Sequence, residues 1–404
     1  MNKNSFLKAG HTPTLIAAFL YFDLAFMVWV ILGPLGVQIA KDLGLSAAQK
    51  GLMVAMPLLA GAFLRIVMGI LVDQLKPKRA GIIGQIVVMA ALFIAWQFGV
   101  HSFGKVLLMG VFLGVAGASF AVALPLASRW YPPEHQGTAL GIAGAGNSGT
   151  VLAALFAPSL AAAYGWNNVF GMMLIPLLVV FVVYLVMAKD APECPPPKPL
   201  GDYFKMLKDK DAWWFMFFYA VTFGGFSGLS SSLTIYFNSQ YGLDPKTAGF
   251  FTAACVFAGS LVRPIGGNVA DRIGGIKSLS TMYALAAIFL AIASLGMPNV
   301  FLAAAVFVCA MLALGMGNGA VFQLVPQRFR KEIGVMTGLV GMAGGVGGFY
   351  LASSLGYSKQ ITGSYQTGFL IFAGLAILAL LGLTGIKMRW RTTWGAAHMT
   401  GAKV

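Results

Sequence analysis

A chain of 404 residues that is 58% hydrophobic and only 10% charged falls far below the roughly 25% charged residues of a water-soluble domain. It reads as an integral membrane protein. The net charge of +15 alone would suit a nucleic-acid partner, but its distribution excludes one. Nearly all the basic residues occupy short polar stretches between long apolar runs, where they face anionic lipid headgroups.

In chain order, apolar runs lie near 12–34, 51–72, 80–100, 104–127, 137–163, 166–188, 212–238, 247–270, 277–297, 299–324, 333–357 and 366–386. Each has about the 20 residues needed to cross the hydrocarbon of a bilayer. They predict an all-α membrane protein of twelve transmembrane helices. The first run is too long for a signal peptide, contains Asp23 and leads directly into further runs. The proline-rich stretch between Ala191 and Pro199 follows six runs and precedes six more. Such stretches are extended and semi-rigid. It divides the chain into a six-helix half over 1–188, a linker over 189–211 and a second six-helix half over 212–404.

Placing both termini in the cytoplasm and assigning loops alternately puts 20 Lys and Arg on that side. The other side receives five: Lys41, Lys50, Lys105, Lys246 and Lys359. This excess follows the positive-inside rule and predicts a multi-pass protein of the cytoplasmic (inner) membrane with both termini inside. The remaining two of the 27 basic residues are Arg65 and Arg263, each inside an apolar run. A charged residue in mid-membrane costs about 2.5–3.5 kcal/mol on insertion scales, so it marks a functional site by default.

The two arginines are placed alike. Gly61, Arg65, Gly69 and Asp73 recur 198 residues later as Gly259, Arg263, Gly267 and Asp271, and Tyr21 recurs as Tyr219. Gly117 and Phe120 recur 202 residues later as Gly319 and Phe322; Gly141 and Gly144 recur 197 residues later as Gly338 and Gly341. Two parallel six-helix repeats are the arrangement of the major facilitator superfamily. A cation repeated by both halves predicts a central anion site between them. The loops Gly69–Arg79 and Gly266–Gly275 resemble that superfamily's cytoplasmic signature. Asp73, Asp271 and Arg272 are thus candidates for a cytoplasmic gate, in which an acid caps a helix or pairs with a base. Ordinary loop charge is the alternative.

Other chemistry has little support. Gly144-Ala-Gly-Asn-Ser-Gly149 matches G-x-G-x-x-G but lies in an apolar helix with no preceding strand, so it is no dinucleotide site. No phosphate-binding G-x-x-x-x-G-K-[ST] loop is present. His11, His101, His135 and His398 show no metal-ligand spacing, and the three cysteines imply no disulfide framework. An enzyme, a metal or a cofactor is not expected.

The glycine-rich stretch Gly141–Pro158 and its partner Gly338–Leu351 resemble the paired signatures of the nitrate/nitrite porter family. The opening stretch Phe19–Pro34 is similar to that family's shorter, proton-linked branch. The resemblance covers the whole chain. It implies a twelve-helix transporter, functional as a monomer, for nitrate and also nitrite. It implies anion-binding roles for Arg65 and Arg263, a substrate contact for Tyr219, a signature asparagine in Asn147, and aromatic walls in Phe120 and Phe322. Elementary chemistry agrees: guanidinium is planar, stays protonated and offers paired donors to adjacent oxygens. For these positions, structural bonding of the arginines, ordinary packing of the rings and an interhelical hydrogen bond from Asn147 stay open. Asp23, the only acid near the middle of a run, is a candidate for proton coupling, with a permanent salt bridge or helix bonding as the alternative. Proton-coupled nitrate symport is the expected function. Nitrate/nitrite exchange, a phosphate-ester or organic-anion exchanger and a membrane nutrient sensor are the other readings. Nitrate, nitrite, protons and lipid are the expected partners.

The charge asymmetry predicts that an impermeant thiol reagent misses Cys194 in intact cells and labels it in inverted vesicles. Labelling of Cys194 from outside would overturn the topology.

Overall fold

A computed structural model describes residues 6–192, 200–329 and 332–395. Cys194, the centre of the proline stretch, and Lys3, Lys198, Arg330, Lys331 and Lys403 of the charge count lie outside the described residues. Among the described residues, twelve helices are long and apolar enough to cross a membrane. They are α1 (Thr12–Trp29), α2 (Ala47–Leu75), α3 (Pro77–Phe98), α4 (Phe103–Ser128), α5 (Ala139–Tyr164), α6 (Trp166–Met187), α7 (Lys210–Tyr241), α8 (Pro245–Ile273), α9 (Gly275–Ala293), α10 (Val300–Arg328), α11 (Ile333–Thr362) and α12 (Gln366–Thr392). No strand occurs among the described residues.

Several helices extend beyond their apolar runs because polar residues cap them. The Ser46 side chain accepts from the Gln49 amide while the Gln49 side chain accepts from the Ser46 amide, a reciprocal cap that starts α2 ahead of its run. Ser102, Asp244 and Asn299 cap α4, α8 and α10 one-sidedly, each side chain accepting from a backbone amide three residues on. In contrast, α1 stops at Trp29, short of the apolar run's end. Pro34 disfavours helical backbone at Gly33, and turns carry the chain into a short helix, Gly36–Leu43.

Three helices are interrupted in mid-span. A turn breaks α4 at Ala118–Ser119, a 3-10 segment breaks α5 at Ala145–Ser148, and a turn breaks α8 at Val262. The α5 break falls in a run of Gly, Asn and Ser, all poor helix formers. The α8 break lies just before Pro264, whose ring removes an amide donor and crowds the preceding turn. Each break adjoins a residue singled out by the sequence: Phe120, Asn147 and Arg263.

The halves meet along α2, α5 and the short helix Gly36–Leu43 on one side and α7, α8 and α11 on the other. At the end away from the termini the contact is nearly backbone to backbone. A Cβ added at Gly51 of α2 would lie 2.8 Å from Gly356 Cα of α11, and one at Gly249 of α8 would lie 2.8 Å from Pro158 Cγ of α5. At the end that carries the termini, a Cβ added at Gly141 or Gly144 of α5, or at Gly334 of α11, would meet nothing within 4 Å. The seam is sealed at one end and parted at the other.

Charge pairs tie helices within each half. Asp211, at the start of α7, accepts from Arg328 Nε at 2.9 Å and from Trp390 Nε1 at 2.8 Å, and also pairs with Arg389. Arg328 Nη2 reaches Asp209 at 2.7 Å. These bonds clasp α7, α10 and α12. In the first half, Arg129 at the end of α4 lies 3.7 Å from Asp73 at the end of α2. The Asp73 pair therefore lies within one half rather than across the seam.

Truncating Asp211 leaves the half-exposed Arg389 without its acid and Trp390 Nε1 without its acceptor, while Arg328 keeps Asp209, so Asp211→Ala should cost about 2 kcal/mol. Asp202→Ala breaks an exposed pair with Lys205 and should cost about 0–1 kcal/mol. Thermal unfolding of the two variants in detergent checks this; equal midpoints would show that the clasp contributes no stability.

Candidate anion-binding site

Arg65 projects from α2 into the seam and is only 2% exposed. A buried charge needs partners, because moving it out of water is costly. Here the partners are carbonyls and rings. Arg65 Nε donates to the Gly117 carbonyl at 3.1 Å, and Nη1 donates across the seam to the Gly341 carbonyl. The guanidinium carbon lies 5.4 Å from the ring centre of Trp29, 5.4 Å from Phe120 and 5.2 Å from Phe223. Its Nη2 is enclosed without a protein acceptor.

Arg263 opens the second segment of α8, immediately after the break. It is half-buried. Its guanidinium lies 5.8 Å from the Phe120 ring and 5.4 Å from the Phe322 ring. It is within hydrogen-bond reach of the Tyr219 hydroxyl. Its Nη1 is enclosed with no protein acceptor. Both cations thus face the same Phe120 ring from opposite halves.

The structure brings together most of the residues singled out by the sequence. Tyr219 is 1% exposed, stacks on Phe223 at 5.1 Å and meets Phe322 edge-on at 5.0 Å. Phe120 and Phe322 are 6.0 Å apart with an interplanar angle of 63°. They meet edge to face rather than as parallel walls, an arrangement that ring quadrupoles favour for rings in contact. Asn147 lies in the α5 break, 1% exposed, with Oδ1 enclosed without a protein donor. Its carbonyl accepts from the Thr150 hydroxyl at 2.7 Å; its hydrogen bonding does not reach the arginines.

Asp23 stands apart from the cations. It is 8% exposed on α1 and accepts from Ser148 Oγ at 2.7 Å and from the Gly149 amide. It therefore caps the second segment of α5, where the partial positive charge of a helix start favours a carboxylate. No Lys or Arg pairs with it among the described residues. Asp271 and Arg272 are exposed at the end of α8, remote from the seam's sealed end.

The glycine-rich signatures have distinct tasks. On α5, Gly146 packs 2.5 Å, as measured from an added Cβ, from Phe22 Cδ1, and Gly149 lies against the Asp23 carbonyl. On α11, Gly344 lies 2.8 Å from Tyr219 Cδ1 and Gly345 lies 2.8 Å from Ala62 Cβ, measured the same way. This run lets α11 slot between α7 and α2, which carries the Gly341 carbonyl to Arg65.

Sequence reasoning missed three participants. Gly341 acts through a backbone oxygen, which has no residue-type signal. Phe223 follows Tyr219 by one helical turn, so its face was legible. Trp29 of α1, whose ring centre lies 5.4 Å from the Arg65 guanidinium carbon, lies eight residues after Tyr21 and carried no mark of the arginine in its residue type.

The sequence pattern of the Major Facilitator Superfamily matches residues 15–352. The chain is 33% identical over 377 residues to the "Probable nitrate/nitrite transporter NarK2" of Mycobacterium tuberculosis, covering 92% of this chain and 95% of that one. It is 33% identical over 360 residues to the "Nitrite extrusion protein" of Bacillus subtilis, covering 88% and 89%. A solved bacterial homolog of the human lysosomal transporter Spinster, in an inward-facing and occupied conformation, superposes with a TM-score of 0.73 at 17% identity, covering 94% of this chain and 97% of that one. That likeness concerns the fold. The pattern match and the extended identity establish that the chain belongs to the Major Facilitator Superfamily and, within it, to the nitrate/nitrite porter family.

Proposed function

We propose that this protein carries nitrate, and also nitrite, across the cytoplasmic membrane by alternating access, with protons as the coupling ion. The observation that carries this reading is the convergence of Arg65 and Arg263 on the Phe120 ring, one from each half. Two planar, permanently charged forks beside aromatic faces fit a small planar anion. Tyr219 supplies a neutral hydroxyl beside Arg263, and Phe322 closes one side. In the proposed orientation both termini are cytoplasmic, so the parted end of the seam faces the cytoplasm and the sealed end faces outside. One chain contains both arginines, so a monomer suffices.

Electrostatics supplies the drive for alternation. Without an anion the two cations repel across the seam, which opposes full closure. A bound anion neutralises that repulsion and lets the halves rock. Inward movement of one negative charge against a negative interior costs about 2.3 kcal/mol per 100 mV. More than one proton per nitrate reverses that sign. Asp23 is the acid assigned to the proton, acting through its bonds to Ser148 and Gly149 on the interrupted helix α5.

One observation favours a second reading, electroneutral nitrate/nitrite exchange. The bonds of Asp23 already account for it as a helix cap, without titration. Purified protein in sealed vesicles distinguishes the two. Symport predicts labelled nitrate uptake driven by a pH gradient, accompanied by proton entry, with uphill uptake lost in Asp23→Asn while downhill movement persists. Strict dependence on internal nitrite, with Asp23→Asn fully active, would reject symport and establish exchange.

Arg65→Lys and Arg263→Lys each keep the charge but remove the flat fork. Loss of a paired charge-assisted hydrogen bond is worth about 2 kcal/mol, so transport at low nitrate should fall about thirtyfold in each. Folded protein should remain in the membrane. Normal uptake by either variant would sink the central site.

A further inference from the structure

The arginines repeat between the halves, but their surroundings do not. By the 198-residue offset that relates Arg65 to Arg263, Trp29 corresponds to Ser227. The first half therefore places an indole where the second has a hydroxymethyl group. Trp29 is 1% exposed. Its Nε1 donates to the Pro57 carbonyl of α2 at 2.8 Å, about two turns before Arg65. Its ring centre lies 5.4 Å from the Arg65 guanidinium carbon. The indole is backed by Phe26 at 4.6 Å and lies parallel to Phe223 of the opposite half at 6.3 Å and 11°.

The repeated glycines complete the contrast. A Cβ added at Gly61 would lie 3.0 Å from the Trp29 indole nitrogen, and one at Gly117 would run into the same ring. Their counterparts in the second half meet other groups: Gly259 faces Phe226 at 3.0 Å, and Gly319 faces the Arg263 carbonyl. In the first half the glycines are the socket of an indole, and the indole is a wall of Arg65. In the second half no indole lies over Arg263 among the described residues. Arg263 is half-buried, and its ring neighbours are the two phenylalanines.

We infer that Trp29 is a positioning residue that makes Arg65 the fixed anchor of the site, leaving Arg263 as the arm that moves with the anion. The inference rests on the nitrate reading above. The attraction between a guanidinium and an indole face is strongest where water is excluded. The bond to Pro57 fixes the indole's rotamer and ties it to the same helix as Arg65. An arginine held in place loses less freedom when it binds an anion. Loosening it weakens apparent affinity before it slows turnover. Arg263, at a helix break and without an indole, has the freedom to follow substrate toward the parted end.

Nitrate uptake by proteoliposomes containing equal amounts of the full-length wild type, Trp29→Phe or Trp29→Ser tests this. Trp29→Phe keeps a ring but loses the bond to Pro57, and should raise the nitrate KM about threefold; Trp29→Ser, which copies the other half, should raise it about tenfold. Maximal rates should stay within about twofold of wild type, since Trp29 makes no contact with substrate in this account. If Trp29→Ser does not insert, Trp29→Phe decides. An unchanged KM, or a fall in maximal rate at unchanged KM, overturns the inference and leaves Trp29 a packing residue. Absence of nitrate uptake by the wild type overturns the proposed function, and this inference with it.

Discussion

Everything at the centre of this molecule follows from one constraint: a guanidinium buried in a membrane protein without an acid to pair with. Arg65 is 2% exposed, and no carboxylate forms an ion pair with it among the described residues. The fold offsets the desolvation cost with two carbonyls and three aromatic faces. One carbonyl, that of Gly341, belongs to the opposite half. Arg65 thus joins the halves through a weak neutral ligand that an anion can outcompete. A carboxylate in that place would hold the cation far more firmly. The carbonyl satisfies part of the donor set and leaves the rest available.

The seam shows the same logic at larger scale. Its sealed end is built on glycines, where helices of different halves approach with at least one side lacking a side chain. Such contacts gain dispersion over a large area, and the directional bond found beside them, from the exposed Ala48 amide to the Gln360 side chain, is long at 3.4 Å. The strong directional bonds, those of Asp211 with Arg328, Arg389 and Trp390, are kept inside the second half. Stiff halves joined by a smooth seam can rock as bodies. Helix breaks at Ala118–Ser119, Ala145–Ser148 and Val262 all fall next to the residues of the candidate site. Irregular backbone in a membrane is tolerated where it is buried in protein or lines a cavity.

Much of this was legible in the sequence because membrane helices are written in composition. The twelve apolar runs predict twelve spanning helices, and the 198-residue repeat isolates the arginines. The helix ends were less legible. The extension of α2 depends on the reciprocal cap of Ser46 and Gln49, outside the apolar run that marks the span. Tyr219 and the phenylalanines converge on the arginines because each sits on the inward stripe of a helix whose position the repeat already fixed. Asn147 does not bond to the arginines, since its place is set by the 3-10 turn rather than by helical register. The Asp23 environment was illegible for another reason. Its partners come from α5, 125 residues away, and two of them are a hydroxyl and a backbone amide. The Gly341 carbonyl could not be foreseen, since a backbone acceptor leaves no mark in residue type.

The central claim is that one anion is held between Arg65 and Arg263. An experimental structure of the protein determined with nitrate tests it most directly. The account predicts flat density between the two guanidiniums, beside Phe120 and Phe322, with Arg65 Nη1 turned from the Gly341 carbonyl to the anion. Density at another site, or Arg65 still bonded to Gly341 with the anion elsewhere, would contradict it.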